Sequence, residues 1–302
     1  MRFRPKISLH GSGEVVELSN GSHADFTLMQ GASGLGMRPR EITTVALPSG
    51  GSLVQHRKGL EADVQIPVLL GGSERQRWDL RRKLERLVRD EVEIRVTRPN
   101  GVNRSRFGFY KAGLEGEYGA GEDSPNGQKL VLEFTCPEGM WKGEQQDPEF
   151  RLSGIRKRFL SERAAPTEGD ESSKYQSPFF PVLLASSTVQ GEIDVNIGGD
   201  APVYPTWIID GPGSDLIIEN DKGDSLKVLT EFEEQVTITT GSQREDIISP
   251  SMPDGELWEY VPTTSKFFAL EPGMNKLKVS MVGAKPNSRV QCLYRENFWA
   301  GW

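Results

Sequence analysis

Hydrophobic and polar residues alternate with a period of two along most of the first 142 residues. Such alternation places one side of each strand in a core. The pattern recurs at Ile7/Leu9, Val16/Leu18, Val64/Ile66/Val68/Leu70, Val92/Ile94/Val96, Phe107/Phe109 and Leu130/Leu132/Phe134. Turn signals such as Pro48–Gly51 and Pro99–Gly101 separate these segments. The amino-terminal region is therefore predicted to be a β-barrel or β-sandwich.

One segment of this region has a helical period instead. Ser73 followed by Gln76 has the spacing of a capping box, so a helix is predicted to begin there. Its apolar stripe consists of Leu80, Leu84, Leu87 and Val88. These residues lie on one face of a helix and predict that this face packs against the core. The helix is predicted to end near Asp90.

Trp78 lies well over 90° from the apolar stripe, so it needs a second partner. That partner is either a loop of the same chain or a neighbouring subunit. The helix also carries the basic residues Arg75, Arg77, Arg81, Arg82, Lys83, Arg86 and Arg89. They form either a solvated face or a charged contact across a subunit boundary.

The rest of the chain contains a polar segment and then a second β-rich region. Residues 143–178 have few apolar anchors, which predicts a linker or a long excursion. Alternation resumes at Ile193/Val195/Ile197, Trp207/Ile209, Leu216/Ile218, Leu226/Val228, Val236/Ile238, Leu277/Val279/Met281 and Val290/Cys292/Tyr294. Short strands with frequent turns predict an antiparallel sandwich or jelly roll. We therefore expect two domains, residues 1–142 and 179–302, joined by residues 143–178.

Composition narrows the class of protein. The net charge of -7 argues against a free-standing binder of nucleic acid or anionic membranes, because both need a basic surface. The sequence shows no signal peptide and no membrane-length apolar run. Cys136 and Cys292 fall in alternating strand patterns and are predicted to be buried, reduced thiols. The chain is therefore expected to fold in reducing cytoplasm.

No motif predicts catalytic, metal or cofactor chemistry. His10, His23 and His56 have no cysteine or carboxylate at metal-ligand spacing. The loop Gly31–Gly36 lacks the Gly-x-Gly-x-x-Gly spacing, and Arg38-Pro39 follows where a phosphate-binding helix would have to begin. The acidic residues around the predicted hairpins are expected to be solvated, because nothing fixes two of them at a catalytic separation.

Two turn-and-strand signatures distinguish the carboxy-terminal region. In the segment Asn196–Pro205, Pro202 and Pro205 each remove a ladder donor and suit a strand entry or a sheet edge. In the segment Leu270–Leu277, Pro272-Gly273 fits the middle of a type II turn. Asn275 can hold this turn through a bond from its side chain to the backbone.

These signatures and further segments resemble the siphovirus distal tail protein family. The predicted helix matches the family in its place along the chain. The other matching segments, in chain order, are Gly34–Gly36, Leu60–Leu70, Val96–Gly101, Phe134–Trp141, Asn196–Pro205, Gly211–Asp215, Ile217–Asn220, Val236–Thr240, Ser265–Asn275 and Ser288–Arg295. One departure is Glu138-Gly139, where the family has Asp-Pro before the aromatic residue. Residues 143–178 have no clear counterpart in the family.

The resemblance implies a specific structural role. Six copies would form a ring at the distal end of the tail tube, built by an amino-terminal domain similar to tail-tube proteins. A galectin-like carboxy-terminal domain would project outward. The ring would join the tail tube protein to the tail tip or baseplate hub protein, with the tape-measure protein as a further partner. Phage DNA would pass through without specific binding, and no cofactor or membrane would be involved. The protein would belong to the virion tail and assemble in the host cytoplasm.

A cyclic ring requires heterologous contacts, in which one patch meets a different patch on the next copy. The candidate interface residues are Arg75, Trp78, Arg82, Arg86, Phe298, Trp299 and Trp302. The aromatic segment 298–302 either folds back on its own sandwich or docks on another subunit or tail protein. The alternative function is a carbohydrate-binding tail module that contacts the host surface through Trp258, Tyr260, Trp299 or Trp302. No sequence feature supports an enzyme.

Overall fold

The described part of the chain is mainly β with one α-helix, which confirms the predicted fold class. The computed structural model describes residues 6–21, 24–115, 123–124, 127–151, 153–154, 188–241, 245–250, 256–284 and 288–302. Most of the predicted linker, and His23, lie outside the described residues. Over the described ranges, no helix is long and apolar enough to cross a membrane.

The chain divides into two compact units. The first contains Met1–Glu144, Gly199–Ala201 and Arg295–Trp302, and the second contains Gln145–Gly198 and Pro202–Tyr294. The predicted domain boundaries at 142 and 178 stay predictions.

The first unit combines a helix with antiparallel β-sheets. Its elements are β1 (Lys6–Gly11), β2 (Glu14–Leu18), β3 (Phe26–Leu28), β4 (Arg40–Ala46), β5 (Ser52–Gly59), β6 (Ala62–Leu70), α1 (Glu74–Leu87), β7 (Val92–Thr97), β8 (Asn103–Ala112), β9 (Asp123–Ser124), β10 (Gly127–Cys136) and β11 (Trp141–Gln146), whose last two residues belong to the second unit. One sheet has the order β2-β1-β7-β8 and the other the order β8-β10-β6-β3. Strand β8 belongs to both, because its first half pairs with β7 and its last residues pair with β10. The strands β4 and β5 form a separate two-stranded sheet.

The core of the first unit follows the predicted alternation except in β8. The predicted inward positions of β1, β2, β6, β7 and β10 are buried. In β8 the prediction that Phe107 and Phe109 face the core is wrong. Phe109 is exposed, and the inward side carries Arg104, Arg106 and Gly108. Glycine is required at 108 because a Cβ there would lie 2.7 Å from the sulfur of Cys136.

The helix begins at the predicted capping box. The Ser73 side chain accepts a bond from the Gln76 backbone, and the Gln76 side chain accepts from the Ser73 backbone N–H at 2.8 Å. Leu84 and Leu87 are fully buried. The helix packs on β1, β2 and β6, and it ends at Leu87, slightly before the predicted end.

The second unit is an antiparallel sandwich. Its elements are β12 (Glu149–Arg151), β13 (Ser153–Gly154), β14 (Thr188–Ile197), β15 (Thr206–Asp210), β16 (Gly213–Asn220), β17 (Ser225–Phe232), β18 (Val236–Thr240), β19 (Glu245–Ile248), a 3-10 helix (Glu256–Tyr260), β20 (Gly273–Val282) and β21 (Arg289–Phe298), whose last residues belong to the first unit. One sheet has the order β13-β14-β20-β16-β17. The other contains β19, β18, β15 and β21 in that order, and β12 also pairs with β21. The predicted inward residues of both sheets meet in one core.

Two local predictions about this region of the chain are confirmed. Gly273 has a φ of +98°, as the third position of a type II turn requires. The Asn275 side chain accepts a bond from the Glu271 N–H at 2.9 Å and donates to the Glu271 carbonyl at 2.7 Å. Cys292, like Cys136 in the first unit, is buried and not bridged.

Candidate assembly interface

The hairpin β4–β5 is the most exposed structure among the described residues of the first unit. Every described side chain from Arg40 to Lys58 is exposed. The register runs from Arg40 opposite Gly59 to Ala46 opposite Ser52, with a bulge beside Thr43. Neither strand pairs with any other described strand. The hairpin is therefore a free arm whose seven residues on β4 pair only with β5.

Both faces of this arm carry apolar side chains. Ile42 and Val54 share one face and are 56% and 41% exposed, while Val45 and Leu53 share the other and are 43% and 58% exposed. A two-stranded hairpin is at best marginally stable alone in water. Contiguous exposed apolar surface on a soluble protein usually marks an interaction site. The arm therefore has the properties of a segment that another protein surface covers.

The sequence pattern missed this hairpin. Its two strands flank the recognised Pro48–Gly51 turn, but their apolar residues do not keep strict alternation. Thr43 and Thr44 are followed by Val45, and the bulge on β5 shifts the pattern between Val54 and His56. A turn flanked by Ile, Thr and Val is a weak hairpin signal that could have been used.

The predicted interface residues on the helix lie together on its exposed face. Arg75, Trp78, Arg82 and Arg86 are all solvent-accessible and fall within roughly 80° of one another around the helix axis. This face, called the Arg–Trp stripe below, points away from the buried leucines. Trp78 is 53% exposed, consistent with the prediction that it lies off the apolar stripe. Arg86 also forms an ion pair with Glu14 of β2 at 2.9 Å.

The other predicted interface residues, Phe298, Trp299 and Trp302, belong to the segment 295–302, which folds onto the first unit. In the described structure this segment is grouped with the first unit and not with the sandwich, while its docking on another subunit or tail protein stays a prediction. Phe298 packs against the core of the first unit. Trp302 remains 52% exposed.

Arg104 holds this segment in place. Its Nη1 donates to the Ala300 carbonyl at 2.7 Å and to the Trp302 carbonyl at 3.3 Å. The guanidinium carbon also lies 3.6 Å from the centroid of the Phe298 ring. Burial lowers the pKa of Arg104, and nearby Arg98 lowers it further. These contacts make an inward-facing arginine the binding group for a segment almost 200 residues away in sequence.

Arg106 has a similar role at the next inward position of β8. Its Nη1 donates to the Gly34 carbonyl at 2.8 Å, and its Nη2 donates to the carbonyls of Gly36 and Gly139 at 3.2 and 2.9 Å. The guanidinium stacks on Trp141 at 4.5 Å. Burial lowers the pKa of Arg106 to about 10. Sequence reasoning missed both arginines, because charged residues in an alternating strand normally face solvent.

The aromatic residues proposed for carbohydrate binding are divided between the two units. Trp258 and Tyr260 lie on the 3-10 helix of the second unit, where the Trp258 ring is 5.5 Å from Phe267. Trp299 and Trp302 belong to the first unit. Within the described residues, no group of three or more histidine, cysteine or acidic side chains is arranged to hold a metal ion.

The carboxy-terminal region matches the model of a known protein family. Residues 198–298 match the family model described as "Siphovirus-type tail component, C-terminal domain". The matched region covers about a third of the chain and contains most of the sandwich. No curated protein sequence matches the chain at a significant level.

Solved structures extend the similarity to nearly the whole chain. The Dit protein (gp 19.1) of phage SPP1, described as a paradigm of the hub adsorption apparatus in phages that infect Gram-positive bacteria, is 15% identical with a TM-score of 0.57. That match covers 97% of this chain and 99% of the Dit chain. A chain of the phage P2 baseplate in its activated conformation with Ca is 10% identical with a TM-score of 0.55, covering 96% of this chain and 98% of that one. At these identities the structures show a shared fold.

Proposed function

The chain belongs to the siphovirus distal tail protein family and is a structural component of the phage tail, and on this premise we propose that six copies form a ring at the distal end of the tail tube. The ring connects the tail tube protein to the tail tip or baseplate hub protein and encloses the channel through which DNA passes. The tape-measure protein is a further partner during assembly. The protein has no catalytic role, needs no cofactor and contacts no membrane. Its assembly takes place in the host cytoplasm.

The exposed hairpin is the observation that carries this proposal. A cyclic ring needs an element of one copy that fits a different surface of the next copy. The arm β4–β5 meets that need, because it leaves the body of the first unit and exposes apolar side chains on both faces. We propose that a second copy of this chain covers the arm.

The Arg–Trp stripe is the second proposed contact. Arginine and tryptophan are enriched at the centres of protein interfaces, where they supply hydrogen bonds and large contact areas. Arg75, Trp78 and Arg82 present both kinds of side chain on one exposed helix face. Trp302, with half of its surface exposed, is a third contact proposed for a neighbouring copy or tail protein.

Ring formation can be tested with the purified chain. Mass photometry and negative-stain microscopy, with and without tail tube protein, should show rings of defined stoichiometry. A chain that stays strictly monomeric and never joins tube or hub protein would overturn the proposed function.

The role of the arm is tested by the double variant Val45→Ser/Leu53→Ser, which removes the apolar pair on one face. Losing two partly buried aliphatic contacts at each interface should raise the concentration for half-maximal ring formation at least about tenfold. The matched control is Leu229→Ser, which changes a leucine 43% exposed on a strand of the second unit. Unchanged ring formation in the double variant would remove the arm from the interface.

Carbohydrate binding is kept as a second role for the second unit. Trp258 and Tyr260 are partly exposed on one 3-10 turn, and aromatic faces of this kind can stack on sugar rings. A glycan array with the wild type and with Trp258→Ala/Tyr260→Ala tests this role. Signals above background that disappear in the variant would support it, and an array without hits would rule it out.

A further inference from the structure

The segment 295–302 contacts the chain at the root of the hairpin arm. The Gly301 N–H donates to the Leu35 carbonyl at 3.0 Å, shortly before β4 begins at Arg40. The next residue, Gly36, lies against the Trp302 ring, since a Cβ added at position 36 would be 3.5 Å from Cζ2 of Trp302. The chain that enters the arm therefore lies directly against this segment.

Arg106 holds the same stretch from the core side. It binds the carbonyls of Gly34 and Gly36, on either side of the Leu35 carbonyl that accepts the bond from Gly301. These consecutive carbonyls are therefore fixed by an inward arginine and by the segment 295–302 together. Since backbone carbonyls are fixed on both sides, this stretch has little freedom to rotate.

A direct contact then reaches the arm. The guanidinium carbon of Arg40, the first residue of β4, lies 4.6 Å from the centroid of the Trp299 ring. The backbone at Trp299 is itself anchored, because the backbone N–H of Trp299 donates to the Asp200 carboxylate at 3.0 Å. Arg40 pairs with Gly59, the last residue of β5. The Arg40–Trp299 stack therefore restrains the hairpin where its two strands begin and end.

The return strand is anchored beside the same root. The Leu60 N–H donates to the Pro39 carbonyl at 3.0 Å, which closes the base of the arm. Arg38 packs so closely on Gly59 that a side chain at 59 would collide with it. Arg38 in turn donates to the Glu138 carbonyl at 3.1 Å. Beyond this base neither strand pairs with another described strand, so the direction of the arm is decided at its root.

We infer that the segment 295–302 is the positioning element of the arm: through the Arg40–Trp299 stack it fixes the direction in which β4–β5 leaves the first unit. If the chain forms the proposed ring, ring assembly requires this segment even where the segment touches no neighbouring copy. This consequence rests on the proposed function. In the isolated chain, however, positioning of the arm can be measured without any ring.

The first experiment measures the arm in a monomer. Spin labels at Ser49→Cys, on the tip of the arm, and Asp79→Cys, on the helix, report their separation by double electron–electron resonance. The native cysteines are buried and do not compete for label. In the Val45→Ser/Leu53→Ser background, at a concentration below its ring formation, we expect a narrow distance distribution that broadens with Trp299→Ala.

Two variants make the result specific. Trp258→Ala removes a tryptophan of the second unit and should leave the distribution narrow. Arg40→Ala should broaden it as Trp299→Ala does, and the two changes combined should add little, because they remove the same stack. A distribution that stays narrow with Trp299→Ala, or that broadens equally with Trp258→Ala, would overturn the inference.

The second experiment measures rings. Trp299→Ala in the otherwise wild-type chain should raise the concentration for half-maximal ring formation about fivefold, which corresponds to one cation–π contact. If the wild type forms no ring, the proposed function fails, while the distance measurement still decides the positioning role. If rings form and Trp299→Ala leaves their midpoint unchanged, the positioning role fails alone.

Discussion

Arg106→Met should destabilise the first unit while leaving the second unit unchanged. Arg106 is 1% exposed and donates to the backbone carbonyls of Gly34, Gly36 and Gly139. Methionine has a similar length and keeps the apolar contact with Trp141, but it cannot donate. The substitution therefore removes the Arg106 donor from all of these carbonyls, and among the described residues only the Gly36 carbonyl keeps another bond, from the Trp141 indole N–H at 3.4 Å.

The magnitude follows from two opposing contributions. Hydrogen bonds to a charged group contribute about 2 kcal/mol each, so the set contributes about 6 kcal/mol. Burial disfavours the charged guanidinium and lowers its pKa from 12.5 to about 10. At about 1.4 kcal/mol per pKa unit, this burial costs about 3 kcal/mol. The net loss on substitution is therefore about 3 kcal/mol, or roughly a hundredfold in the unfolding equilibrium.

Amide hydrogen exchange followed by mass spectrometry can assign the loss to one unit. Peptides covering β6 and β10 should lose about a hundredfold in protection, and peptides covering β15 and β18 should not change. The control is Arg89→Met, which alters an exposed arginine and should change neither set by more than about 0.5 kcal/mol. A loss in β6 and β10 below about 1 kcal/mol, or an equal loss in both units, would refute the reasoning.

Three further predictions concern the turns and one ion pair. Gly34→Ala should lower the free energy of unfolding by at least about 3 kcal/mol and Gly50→Ala by only about 1 kcal/mol. Both glycines have positive φ, but only a Cβ at position 34 would lie 2.0 Å from a backbone oxygen. Thermal melts should therefore show a lower midpoint for Gly34→Ala than for Gly50→Ala. Asn275→Ala removes the side-chain bonds that close its turn and should lower the unfolding free energy of the second unit by about 1–3 kcal/mol in urea. Burial would raise the pKa of Asp210, but the hydrogen bond from Arg289 helps to outweigh it and the pKa is lowered. The stabilisation by the Asp210 carboxylate is therefore present above pH 3.8 and is lost as the pH falls through the folded-state pKa. In urea titrations, Asp210→Asn should destabilise the protein at about pH 6 and progressively less below pH 3.8. An effect below pH 3.8 as large as that at pH 6 would contradict this assignment.

Much of the fold could be predicted from local patterns alone. The capping box at Ser73 and the stripe through Leu84 and Leu87 predicted a helix close to its observed bounds. In the second unit, alternation identified the inward side of nearly every strand, and the Asn275 turn formed as expected. These features depend on residues close together in the chain, so the local sequence is sufficient to predict them.

The contacts that assemble the candidate interface depend on distant residues. Arg104 and Arg106 face inward, where carbonyls of residues 34, 36, 139, 300 and 302 accept hydrogen bonds from their Nη atoms. These partners are distant in sequence, so the pattern of the strand itself does not predict them. The alternation in β8 therefore pointed to the wrong side. The placement of Trp78 on an exposed face could be read from helical geometry, but its proposed role in a ring concerns a second chain.

The sequence by itself determined a mainly β chain with one capped helix, buried reduced cysteines and the segments characteristic of a tail protein family. Only the tertiary structure decided that the hairpin β4–β5 stands free and that the segment 295–302 completes the first unit. The reason is physical. Strand and helix formation follow from the period of apolar residues along the chain, whereas the position of a free arm follows from contacts among residues that the chain brings together from its two ends.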